Sequence, residues 1–164
     1  MGVAATLAQY LADRGVAYDV IKHPHTETAW ASAEAGHLPA DRLAKAVVLK
    51  EDEGFLLAVL AASRHIKLGE LRDFLGSDVD LANERQIATI FRDCERGAVP
   101  PLGAAYGLKV VVDDSLTNAP EIYLEAGDHA SLVHMSGASF RELLAEARHG
   151  WFTEPACTRA GRER

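Results

Sequence analysis

Two apolar runs, AKAVVLK (Ala44 to Lys50) and FLLAVLAA (Phe55 to Ala62), stand either side of the acidic stretch EDEG. All their positions but Lys45 and Lys50 are apolar, and a glycine closes the stretch between them, so the segment reads as a β-hairpin. A chain carrying such a pair must build a sheet around it, with these two as its central strands.

The remaining segments supply helices and further strands. VAATLAQYLADR places Val3, Leu7, Tyr10 and Leu11 at helical spacing before Gly15. VAYDVI then alternates as a strand, and TETAWASAEAG reads as a short helix with a threonine cap. LGELRDFLG aligns Leu68, Leu71 and Leu75, and Asn83 with Gln86 forms a capping pair for the next helix. LKVVVD, EIYLEAG and ASLVHMS are short and β-rich, the last two forming a second hairpin. Ser139 with Glu142 is expected to cap a closing helix, FRELLAEARHG. Strands interleaved with helices predict a single α+β domain over residues 1–152, a mixed and largely antiparallel sheet surrounded by helices. Residues 153–164 lack periodicity and read as a disordered tail.

Length and charge bound what such a domain can do. With 164 residues, the chain can bury about two-thirds of its unfolded surface in one core. A net charge of -7 repels a phosphate backbone on average, which argues against broad nonspecific nucleic-acid binding and against DNA as a partner. Arg64, Lys67, Arg92 and Arg96 are candidates for a local basic patch, or are scattered surface charges. No run reaches the roughly 18 apolar residues of a membrane span, and no signal-peptide pattern opens the sequence. Two cysteines, Cys94 and Cys157, make no disulfide framework, so the expectation is a cytoplasmic protein with reduced thiols.

Three stretches could carry chemistry. Lys45 shares a strand face with Val47 and Leu49, where it either loses hydration and serves a function or snorkels to water. In GAVPPLG, Pro100 and Pro101 fix φ while Gly97 and Gly103 free it. Such a loop either holds the amides of Gly97, Ala98 and Val99 toward a carbonyl or simply connects helix to strand. AGDH, Ala126 to His129, either turns a histidine into a cleft or is a hairpin turn. His23 and His25, with His129 and His134, raise a metal question, but neither HExxH nor paired CxxC accompanies them, so no metal is expected. A GxSxG elbow and phosphate-loop glycine patterns are absent too.

In this order the stretches resemble the YbaK/prolyl-tRNA synthetase-associated domains, relatives of the editing domain inserted in bacterial prolyl-tRNA synthetases. AKAVVLK is similar to that family's strand-borne lysine motif, GAVPPLG to its GxxxP loop, and VVVDDSL with EAGDHASLVHMS to its C-terminal signature, from about His23 to about Ala147. The resemblance implies a free-standing trans-editing aminoacyl-tRNA deacylase. Such an enzyme hydrolyses the ester between a wrong, small amino acid (alanine, serine, threonine or cysteine) and the 3′-terminal adenosine. The alternative is a noncatalytic module on the same scaffold that binds an aminoacyl group, a nucleotide or a synthetase.

By the same resemblance Lys45 is the essential lysine that anchors the substrate. Gly97 and Pro101 begin and end a GxxxP loop whose backbone, with Ala98 and Val99, polarises the aminoacyl carbonyl. Gly127 and His129 line the amino-acid pocket, and Thr26 and Thr28 are polar positions near the site. No cofactor is implied. The partner is the acceptor end of an aminoacyl-tRNA, with a synthetase or elongation factor lending affinity. Ala46, where many relatives are polar, and the extra Pro100 leave the amino acid open.

Overall fold

The computed structural model describes residues 2–156. Its helices are α1 (Ala5–Asp13), α2 (Ala29–Ala35), α3 (Leu68–Leu75), α4 (Glu84–Ile90) and α5 (Gly137–Leu143). The strands, in chain order, are β1 (Asp19–Lys22), β2 (Leu43–Glu51), β3 (Gly54–Ala61), β4 (Arg64–Ile66) and β5 (Asp80–Leu81). They continue with β6 (Lys109–Asp113), β7 (Glu121–Glu125), β8 (Ser131–Ser136), β9 (Arg148–Gly150) and β10 (Thr153–Pro155). None of the described helices is long and apolar enough to cross a membrane.

The two apolar runs do form the central hairpin, paired from Ala44 opposite Ala61 to Glu51 opposite Gly54. Around it the main sheet runs β1-β8-β7-β2-β3-β6-β9, and β5 also pairs with β2. Hairpin joints are antiparallel, but β2 with β7, β3 with β6 and β6 with β9 are parallel, so the sheet is mixed through its centre.

Because alternate residues face opposite sides, one face gathers Ala44, Val48, Leu57, Val59, Val112, Ile122 and Val133 under Leu7 and Leu11 of α1 and Phe140 of α5. The other face is covered in two separate pieces. Leu49, Ala58 and Val111 pack under Leu71 of α3, and Leu43 and Leu132 pack under Ala33 of α2. Lys45 faces this second side, between the pieces.

Local expectations and outcomes differ in instructive places. The Asn83–Gln86 capping box is complete, with both reciprocal hydrogen bonds at 2.8 and 2.9 Å. The strand Asp19–Lys22 takes in only the second half of VAYDVI, because Val16 folds back to bond the carbonyl of Leu11 at the end of α1. The closing helix is not capped by Ser139. Ser136, the last residue of β8, accepts the Ser139 amide, so the helix starts at Gly137 straight off the strand. It also stops at Leu143, and Arg148–Gly150 joins the exposed edge of β6 instead, where pairing satisfies strand amides.

Thr153–Pro155 pairs with β4, carrying ordered chain past the boundary expected at 152. Asp113 explains this. Its fully buried carboxylate accepts the Phe152 amide and the Thr153 hydroxyl, both at 2.9 Å, and lies 3.9 Å from Arg64. The rest of the expected tail, including Cys157, lies outside the described residues.

Candidate functional site

Strands β2 and β7 pair only through Leu43–Tyr123 and Ala44–Leu124 before they part. Further along the same edge of β2, β5 picks up Leu49 and Lys50. The edge is therefore open between, and Lys45 is the first residue beyond the last β7 pair. Glu125 occupies the corresponding place on β7, and both side chains lie on the same face of the sheet. Burial alone lowers the Lys45 pKa from its ordinary value. Among the described residues no carboxylate forms an ion pair with it.

Beyond Glu125 the chain turns through Ala126 to Ala130, tied down by Asp128, which accepts the Ala130 amide and the Ser131 hydroxyl. Gly127 has φ +119°, and a Cβ there would come within 2.9 Å of Ala4 and 3.3 Å of the Cys94 sulfur. Its carbonyl accepts the Glu95 amide at 2.7 Å, which brings the 95–101 loop to the end of β7. His129, 4% exposed, completes the join. Its Nε2–H donates to the Arg96 carbonyl at 2.6 Å, since a carbonyl can only accept. The His129 carbonyl accepts the Thr26 amide at 3.0 Å, so three segments meet on one residue.

In the loop, Gly97 has φ +85° and lies against the His129 ring, 3.4 Å from where its Cβ would be. The Ala98 amide donates to the Glu95 carbonyl. It is thus spent inside the turn, whereas the amides of Gly97 and Val99 have no partner among the described residues. Ala98, Val99 and Pro101 are buried. Thr28 is the N-cap of α2, its hydroxyl accepting the Ala31 amide.

Of the expected residues, Thr26, the loop, Gly127 and His129 are joined by hydrogen bonds and close approach, Lys45 lies beside them by strand register alone, and Thr28 is occupied as a cap. A cavity of about 670 Å³ lined by Tyr10, Arg14, Leu108, Glu142 and Arg148, among others, contains none of them. His25 meets His129 edge-on at 5.4 Å, but His134 belongs elsewhere, with Asp19 and Glu121. Among the described residues no group of three or more histidine, cysteine or acidic side chains could hold a metal. Three of the four basic candidates have acidic neighbours. Arg96 pairs with Glu84, Lys67 with Glu70, and Arg64 approaches Asp113.

Sequence reasoning passed over Glu125 and Ser32. Glu125 is 6% exposed, its Oε1 accepts the Ser32 hydroxyl at 3.0 Å, and its Oε2 is buried without a partner. Burial pushes its pKa up, opposed by the Ser32 hydrogen bond and by His129 and His23. The available signal was its alternation with Tyr123 and Ile21-facing Leu132, which puts an acid on a covered strand face.

Cys94 lies behind the loop beside Tyr106 and Asp93. Burial, more than the Asp93 charge, pushes its thiol up to about 11. Two units above an ordinary thiol should slow alkylation of Cys94 about a hundredfold at neutral pH. Peptide mass spectrometry after timed iodoacetamide treatment of the native protein reads this directly, and labelling at the rate of a free thiol would contradict it.

Comparison with known proteins places these features. A search of curated proteins returns no match. Three solved structures share the fold. One is described as a candidate trans-editing enzyme for prolyl tRNA synthetase, with TM-score 0.79 and 24% identity, covering 92% of this chain and 96% of its own. A computationally designed epitope scaffold aligns with TM-score 0.78 at 23% identity, over 93% and 97% of the two chains. A hypothetical protein aligns with TM-score 0.79 at 18% identity, over 91% and 99%. The family model described as aminoacyl-tRNA editing domain matches residues 23–143, a span that contains Lys45, the 97–101 loop and the Gly127–His129 turn. The chain therefore belongs to the aminoacyl-tRNA editing domain family.

Proposed function

We propose that the protein is a trans-editing deacylase that hydrolyses the ester of tRNAs mischarged with a small amino acid such as alanine, serine, threonine or cysteine, with residues 1–152 and the strand Thr153–Pro155 that closes on them as its editing domain. The observation that carries this reading is the joining of the lysine strand, the glycine-proline loop and the histidine turn at the open edge of β2.

In this reading Lys45 anchors the 3′-terminal adenosine by charge and position, since a half-buried ammonium without a carboxylate partner is free to meet an anionic or ester oxygen. The Gly97 and Val99 amides, stiffened by Pro100 and Pro101, face the aminoacyl carbonyl. Water attacks the carbonyl carbon, the oxyanion forms against those amides, and the carbon–oxygen bond to the ribose breaks. The ribose oxygen takes up the proton released from the water, giving free amino acid and intact tRNA. An aminoacyl ester is already activated, so positioning and oxyanion stabilisation suffice without a nucleophilic serine. A second sieve is needed because a synthetase rejects an amino acid one methylene smaller by only about 1–3 kcal/mol. The acidic chain borrows affinity for tRNA from a synthetase or elongation factor.

The test is hydrolysis of a panel of tRNAs charged with alanine, serine, threonine, cysteine and proline. Release of at least one small amino acid well above a Lys45→Ala control is expected. Rates equal to the control across the panel would overturn the proposal, and binding of a charged-tRNA mimic without turnover would replace it with a noncatalytic module.

A further inference from the structure

Glu125 is an acid that the proposed reaction does not use, and its surroundings form a chain. Its Oε1 accepts from Ser32 Oγ at 3.0 Å, and Ser32 Oγ lies 2.6 Å from Thr26 Oγ1. Ser32 is fully buried and Glu125 nearly so, while Thr26 is half-buried and tied through its amide to His129. The groups acting on the carboxyl are Ser32 from α2, His23 from the segment after β1, and Asp128 and His129 from the β7–β8 turn.

Proton counting fixes the direction of this chain. Each hydroxyl has one hydrogen to give. When Glu125 is ionised it can only accept, so Ser32 gives its hydrogen to Glu125 and the 2.6 Å contact must be filled by the hydrogen of Thr26. The Thr26 oxygen is then left with lone pairs alone. When Glu125 is protonated on Oε1 the order reverses, Ser32 donates to Thr26, and the Thr26 hydrogen turns outward or to the His129 carbonyl, 3.4 Å away. A carboxyl three atoms deep therefore decides whether a hydroxyl at the site accepts or donates.

We propose that Glu125, acting through Ser32, is a positioning residue that fixes the Thr26 hydroxyl as a hydrogen-bond acceptor toward the attacking water or the substrate ammonium. The role in deacylation rests on the function proposed above, although the relay itself does not. The logic is that of a catalytic base oriented by a third group. Deacylation accordingly falls as pH drops through the Glu125 titration, because protonation reverses the chain.

The experiment has a structural arm and a kinetic arm. In a pH titration followed by nuclear magnetic resonance, the Thr26 methyl signal should shift with the Glu125 carboxyl in the wild type and cease to follow it in Ser32→Ala. A Thr26 signal indifferent to Glu125 overturns the relay. In kinetics, Ser32→Ala and Glu125→Gln should lower kcat about tenfold with KM unchanged and lose the acid limb of the pH profile, whereas Thr26→Ser should recover most of the activity that Thr26→Ala loses. Thermal melts of the two buried-site variants identify any loss that is merely unfolding. A slow Thr26→Ala alongside wild-type profiles in Ser32→Ala and Glu125→Gln overturns the relay alone. Thr26→Ala at full rate overturns the placement of Thr26 at the substrate and the positioning role with it. A protein that deacylates nothing overturns the proposed function, and the resonance arm still decides whether the relay exists.

Discussion

Lys45→Ala is expected to lower kcat/KM for deacylation by about a hundred- to a thousandfold, equivalent to roughly 3–4 kcal/mol of transition-state stabilisation, and to leave the fold intact. The two halves of this result have different causes. The ammonium is half-buried at the open edge of β2 without a compensating carboxylate, so the protein gains little stability from its charge. Removing it loses some packing of the stem but relieves desolvation, and a net change within about 1 kcal/mol moves the melting temperature by about 2–4 °C in a chain of this size.

Linkage gives a second reading of the same residue. Its folded pKa lies below the unfolded one, so the unfolded chain binds more protons between the two values and stability rises with pH across that window. Lys45→Met should flatten that rise, measured by denaturant titration at several alkaline pH values. A Lys45→Ala protein with full deacylase activity would remove the lysine from the mechanism.

Gly97→Val and Val99→Ala are expected to separate activity from stability. Val99 is 8% exposed in the main core, and trimming two methyl groups there should cost roughly 1.5 kcal/mol. Its backbone keeps its place, so kcat/KM at 20 °C should stay within about threefold. At Gly97 the stability cost is comparable, but activity falls with it. A β-branched residue at φ +85° carries strain of about 1–3 kcal/mol, and the new Cβ would begin 3.4 Å from the His129 ring. Relief by turning the peptide would move the Gly97 amide, and loss of one such donor costs on the order of a hundredfold or more. Parallel measurement of kcat/KM and melting temperature checks the pair. Unchanged deacylation in both variants would make the loop a connector only.

What the sequence made legible was local. The central hairpin, the Asn83–Gln86 box and the glycine-proline loop follow from periodicity and from residues with one strong conformational preference. Three motifs in order carried the family, which the match over 23–143 bears out. What escaped depends on partners distant in the chain. Ser136 outcompetes Ser139 as a cap because β8 ends there, and Arg148–Gly150 is strand only because β6 offers an edge. Likewise Glu125 looks like any surface acid until Ser32, 93 residues earlier, is laid against it. The spending of the Ala98 amide on Glu95 is a matter of turn geometry that residue types alone do not determine.

Asp113 has a consequence for how the chain must be made. Its buried carboxylate is satisfied by Phe152 and Thr153, residues beyond the span that defines the family. During synthesis the sheet can assemble up to β8 with Arg64 and the Ser115 amide beside this charge but without its two C-terminal donors, and a buried acceptor left short of donors costs about 1–3 kcal/mol. The final dozen described residues therefore act as a latch, and the domain completes its folding only after they have cleared the ribosome. A fragment trimmed to the family span would keep the editing motifs and lose the closure that holds β6 in place.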